Sequence, residues 1–197
     1  MEHRQVWKNS MYEASERVPL IIAGPGVPQG VVVTKILVSL LDIYPTLMNM
    51  VGGTAPTYLE GHTLMPWLVD DYTAASLYSK QMAARPDWVT AQYHSNMGNT
   101  GSFMLRQGPW KLITFGQNGA RFNGSCGADC SYPPQLFNVE SDPDELKDVS
   151  RTEAGGPVVT AMDKLLNSIV DYQAVDLECK REDKKLYQTF IEKSQYV

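Results

Sequence analysis

The chain has 197 residues, 43% hydrophobic and 20% charged, with a formal net charge of −5. These values fit one medium globular domain or two small ones and exclude a fibrous or disordered class. The acidic excess disfavours a nucleic-acid partner, because phosphate binding needs clustered Lys and Arg.

Residues 2–17 are polar with scattered aromatics and read as a loop with one helical turn. Met1 to Lys8 lacks the apolar core of a secretory signal. Val18–Ala23 is a short apolar run closed by Gly24-Pro25-Gly26, the pattern of a buried strand with Pro19 at its start. Val31–Val33 begins a second extended piece. Leu40, Leu41, Tyr44, Leu47, Met48 and Val51 recur at helical spacing, with Asp42 as the N-cap and Gly52-Gly53 as the stop. The apolar region 18–51 is too often interrupted by prolines, Lys35 and Asp42 for a membrane helix of roughly 20 apolar residues. Strand, loop and helix together suit an α/β layer.

Residues 54–86 are rich in loop residues and hold a domain boundary. Beyond it, 88–93, 102–106, 110–115 and 135–139 read as four strands, the middle two joined by Gln107-Gly108-Pro109 as a hairpin. Val158, Met162, Leu165, Leu166, Ile169 and Val170 form an amphipathic helix of about four turns behind Pro157. The expected organisation is therefore 1–70 as the end of an α/β domain and 71–86 as a linker. Then 87–175 forms an α+β unit with a four-stranded antiparallel sheet and a packed helix, and 176–197 a charged helix or tail.

Cys126 and Cys130 flank Gly127-Ala128-Asp129, a spacing open to a small disulfide loop or to two free thiols; Cys179 leaves the count odd. Asn123-Gly124-Ser125 is a glycosylation sequon, as a secretory-pathway protein carries. Asp142, Asp144 and Glu145 resemble a metal cluster by composition, but their Pro-containing turn favours capping and solvation. His62 reads as structural, and His3 as a solvated residue.

Five segments, in order, resemble the C-terminal part of sulfatases. Lys8-Asn9-Ser10-Met11-Tyr12-Glu13 leads into Arg17-Val18-Pro19-Leu20 and Gly24-Pro25-Gly26, similar to that family's Lys-x-x-x-Tyr-Glu, Val-Pro-Leu and Gly-Pro-Gly run. Asp42-Ile43-Tyr44-Pro45-Thr46 resembles its Asp-Ile-x-Pro-Thr helix start, and Gly61-His62-Thr63-Leu64 its Gly-x-Ser-Leu segment. Trp110-Lys111-Leu112-Ile113 is similar to its Trp-Lys-Tyr-Ile strand, and 135–146 to its segment ending in Asp-Pro-x-Glu. Met1–Gln5 and Ser141–Leu146 look most like the branch acting on 2-sulfated glucuronate in lysosomes.

The resemblance implies the C-terminal portion of an alkaline-phosphatase-like α/β fold and a sulfuric ester hydrolase acting on a sulfated sugar or an aryl sulfate. It implies a calcium ion and a formylglycine made from the Cys of Cys-x-Pro/Ala-x-Arg. Cys126-Gly127-Ala128-Asp129-Cys130 ends in Cys where Arg is required, and lies in the wrong half. The nucleophile and the metal ligands are expected upstream of Met1, in a further sulfatase region, and these residues alone are expected to be inert. Lys8 matches the family's sulfate-contacting lysine; a compact ammonium suits an anionic oxygen. His94, with Asn96 behind it, matches a region bordering the pocket and is a second substrate-binding candidate. The implied location is lysosomal or secreted. Two other readings are a non-catalytic module binding sulfated glycans and a phosphate or phosphonate monoester hydrolase of the same superfamily.

Overall fold

The computed structural model describes residues 10–69, 79–94, 100–116 and 132–194. The chain divides into two compact units: Pro19–Val89, and a second made of Met1–Val18 with Thr90–Val197. In chain order the elements are α1 (Glu13–Glu16), a 3-10 turn (Leu40–Asp42), α2 (Ile43–Met50), α3 (Met65–Leu68) and α4 (Ser79–Ala84). Then follow β1 (Trp88–Tyr93), β2 (Ser102–Gln107), β3 (Trp110–Phe115), β4 (Gln135–Asn138), α5 (Gly155–Ile169) and α6 (Tyr172–Ser194).

The α+β unit expected from the sequence is present. Its strands lie side by side in the order β1-β2-β3-β4. β2 and β3 pair antiparallel, closing at Gln107 opposite Trp110. Only Gly108 and Pro109 connect them, and Gly108 takes φ 53°, a conformation open to glycine at little cost. β4 continues the sheet antiparallel to β3, with Lys111 opposite Phe137 and Leu112 opposite Leu136.

The pleat sorts these side chains between two faces. Phe103, Leu105, Leu112 and Leu136 share one face. α5 packs against β3 there, burying its apolar stripe at Met162 and Leu166. Met104, Ile113 and Phe137 share the other face, where Met11, Val139 and the half-buried Tyr12 cover them. Both faces are therefore dry, which is why β2 and β3 read as continuous apolar runs rather than alternating ones. Each fully buried Leu contributes about 1.5–3 kcal/mol by leaving water. The chain turns at Asp171, whose carboxylate accepts the Ala174 N–H at 3.0 Å and caps α6.

The 19–89 unit departs from expectation in two places. Val18–Ala23 and Val31–Val33 are irregular and mostly exposed, with Ile21 at 88% and Val32 at 82%. A strand exists only through a partner's hydrogen bonds, and no described residue pairs with either run. The expected helix forms, stops at Gly52 (φ 75°), and is turned the other way. Leu40, Leu41, Tyr44, Leu47 and Val51 are exposed while Asp42, Pro45 and Thr46 are buried. Directed hydrogen bonds fix that orientation, as described below.

Candidate functional site

The apolar face under Met11 carries two cations. Arg106 and Lys111 stand directly opposite each other on β2 and β3, so their side chains emerge side by side. Like charges in that arrangement repel, and Lys111 is completely buried. Two carboxylates answer them. Glu13 lies 2.9 Å from the Lys111 Nζ through one oxygen and 3.3 Å from Arg106 through the other. Glu145 lies 3.0 Å from the same Nζ. Its second oxygen accepts the Glu13 backbone N–H at 2.5 Å. Two positive and two negative groups thus close a network in which Glu13 is held by main chain and side chain together.

The neighbours of Glu13 are held as firmly. Met11 is buried in the core beneath the sheet. Tyr12 donates its hydroxyl to Gln135 at 3.0 Å and sets its ring edgewise on Phe137, 5.9 Å between centroids. Glu145 takes φ 51°, which side chains other than glycine rarely adopt, in the loop after β4. The expectation that Glu145 is solvated fails here: the buried ammonium of Lys111 draws it inside. Asp142 does cap its turn, accepting the Leu146 and Lys147 N–H groups at 3.1 and 2.8 Å.

A second buried charge lies across the sheet. Asp176 on α6 is fully shielded, accepts the Gly101 N–H at 2.6 Å, and pairs with Lys180 one turn on. Both belong to the stretch 176–197 expected as a charged helix or tail, and both are buried. The close approach requires glycine at two places, since a Cβ on Gly116 would collide with the Asp176 carboxylate and one on Gly101 would meet the His94 ring at 2.7 Å. His94 follows β1, half-buried, its ring edge-on to Phe103 at 5.2 Å. Phe103 in turn contacts Tyr172. Burial raises the Tyr172 hydroxyl above its ordinary range. The Asp163 carboxylate, which accepts a hydrogen bond from that hydroxyl at 2.7 Å, pushes the same way.

In the 19–89 unit the hub is Asp42. It completes a capping box with Ser39, accepts the His62 N–H at 2.7 Å, and pairs with Arg85 at 2.9 Å. Arg85 also donates to the carbonyls of Leu37 and His62 and lies over the Trp67 ring. Thr46 donates to the Asp42 carbonyl and accepts the Leu64 N–H. Asp42 is thus a latch rather than the expected N-cap of α2: its carboxylate makes no cap hydrogen bond to that helix, and the N-cap of its box is Ser39. His62 acts through its main chain.

Of the sequence-derived candidates, His94 is placed as above. Lys8, His3, Asn96, Asn123, Cys126 and Cys130 lie outside the described residues. The calcium ion implied by the resemblance finds no donor set in the described residues, where no three His, Cys, Asp or Glu come together. No described helix is long and apolar enough to cross a membrane.

Comparison with known proteins adds a family. A model described as N-sulphoglucosamine sulphohydrolase, C-terminal, matches residues 1–172. Arylsulfatase K of Danio rerio is 38% identical over 187 residues, covering 95% of this chain. The Homo sapiens arylsulfatase K is 37% identical over 188 residues, again covering 95%. The chain spans 32% of the length of each of these relatives. A solved Bacteroides thetaiotaomicron protein of glycosaminoglycan metabolism aligns over 70% of this chain and 27% of its own, at 18% identity and a TM-score of 0.49.

Proposed function

The chain belongs to the sulfatase family and has the fold of its C-terminal portion, and on that footing we propose that the protein carrying it hydrolyses sulfate esters, of the type that removes 2-sulfate from glucuronate. The observation that carries this reading is the 37–38% identity with arylsulfatase K along 95% of the chain. The outward apolar side chains of the 19–89 unit fit it, because an α/β layer buries such residues under further strands and helices.

In this reading the 197 residues support the chemistry rather than perform it. Lys8 contributes an ammonium to the sulfate oxygens, where a fixed positive charge stabilises the negative charge that develops during ester cleavage. His94 borders the pocket. The formylglycine, when present, supplies the nucleophile and calcium neutralises the sulfate; their ligands lie in sulfatase sequence outside these residues. The proposed location is the lysosome or the secretory pathway, with Asn123 glycosylated.

The test is turnover of an aryl sulfate by the complete protein, purified free of host sulfatase, beside the 197-residue chain alone. Calcium-dependent hydrolysis by the first and none by the second is expected. No hydrolysis by the complete protein sinks the reading; hydrolysis by the short chain sinks the division of labour.

A further inference from the structure

We propose that the far end of α6 is a docking arm, whose apolar stripe around Leu186 and Phe190 packs on an apolar surface of the sulfatase sequence lying outside these residues in the complete protein. The proposal rests on the reading of this chain as part of a longer sulfatase, whatever ester that enzyme cleaves.

The near end of α6 is anchored on the sheet. Tyr172 contacts Phe103, the Gln173 side chain donates to the Phe115 carbonyl at 3.4 Å, and Asp176 accepts the Gly101 N–H at 2.6 Å. Tyr172, Asp176 and Lys180 follow one another by a turn along a single face, and all three are buried. Past Asp183 the environment changes, and every residue from 184 to 191 is exposed. At 1.5 Å per residue, Phe190 stands about 15 Å along the axis from Lys180. Counted at 3.6 residues per turn, Tyr187 and Phe190 continue the face of Asp176 and Lys180, with Leu186 and Ile191 at its two edges. The face thus reverses its chemistry, charged where it is buried and apolar where it is open. Leu186 is 67% and Phe190 71% exposed.

A solvated helix end has no use for such a stripe. Its charged residues pair along the surface, Arg181 with Glu178 and Lys185 with Glu182, and apolar residues gathered on one side of a helix mark a face that is covered. Two observations select the cover. The family model ends at residue 172, where α6 begins, while the 38% identity with arylsulfatase K covers 95% of the chain and so runs on into α6. The arm thus lies beyond the domain common to the family and within what this chain shares with a longer relative, of which it spans 32%. The second observation is area. Leu186, Tyr187, Phe190 and Ile191 together expose roughly half of the surface, about 800 Å², that each partner of a stable dimer buries. A second copy is therefore a poor fit. A surface in the same protein is met at high effective concentration and needs less area.

Photo-crosslinking in the complete protein tests this, with p-benzoylphenylalanine placed at Phe190. The expected product is a crosslink within one chain to sequence outside these 197 residues, located by mass spectrometry of the digest. A crosslink between two chains overturns the proposal, and so does one confined to these 197 residues or none at all. Leu186→Glu together with Phe190→Glu is the matching perturbation. Both positions are exposed, so the double change is expected to leave the thermal midpoint of the 197-residue chain within about 1 °C. It is expected to lower that of the complete protein by about 2 °C or more. Equal shifts in the two proteins overturn the docking. Aryl sulfate turnover enters neither measurement. A complete protein that crosslinks as expected yet hydrolyses no aryl sulfate rejects the sulfate-ester reading and upholds the arm.

Discussion

In the sheet unit Leu105, Leu112 and Leu136 are completely shielded from solvent, while in the 19–89 unit Leu40, Leu41 and Leu47 are between 55% and 62% exposed. The residue type is the same and the outcome is opposite. The sheet has cover for each face, α5 on one and Met11 and Tyr12 on the other, so its apolar side chains meet each other. Among its described residues the 19–89 unit buries only two apolar side chains, Pro45 and Leu64, and keeps its shape through the bonds around Asp42. Burial depends on the layer supplied opposite a face, and hydrogen bonds can hold a local shape where no such layer exists.

The strongest way to break this comparison is a matched pair of truncations in the 197-residue chain. Leu112→Ala is expected to cost about 2–5 kcal/mol in urea unfolding, because the sheet cannot collapse around the hole. Leu47→Ala is expected to stay within about 0.5 kcal/mol. Equal losses would show that the two units are packed alike. A smaller effect is expected at the latch. Asp42→Ala should cost about 1–3 kcal/mol, by leaving the Arg85 guanidinium and the Ser39 and His62 N–H groups without their acceptor. The loss should appear as faster amide exchange in α2 with β3 unaffected.

The smallest effect concerns pH. The Tyr172 hydroxyl is raised in the folded chain, by burial first and then by Asp163. A raised folded value means that its contribution is complete below the unfolded value, near pH 10, and is lost as pH rises further. Wild type should therefore lose urea stability above about pH 10 more steeply than Tyr172→Phe. Parallel curves would remove Tyr172 from the account of the alkaline side.

Much of the sheet unit was legible in the sequence because its signals are local. Gly108-Pro109 between two apolar runs gives the hairpin, and the stripe from Val158 behind Pro157 gives α5. The cover over the second face was not legible. Residues 11–13 reach the sheet across roughly a hundred positions of chain, and no periodicity records such a contact. One signal was there to be used: Lys111 precedes the run Leu112-Ile113-Thr114, all buried, and a buried lysine requires a carboxylate. It could not say which of the 22 acidic residues answers. The strand expected at Val18–Ala23 failed for a related reason, since an apolar run fixes a preference and only a pairing partner makes a strand. The family was legible through five ordered motifs. Of its expected contacts, His94 packs on Phe103, while Lys8 lies outside the described residues.

The most direct test of the account compares amide hydrogen exchange of residues 19–89 in the isolated chain with the same residues in the complete protein. The account predicts a gain of protection in α2 and its flanking apolar segments in the complete protein, with β2 and β3 already protected in both. Identical exchange of 19–89 in the two samples would contradict it, because the exposed apolar residues would then have no sulfatase layer to meet.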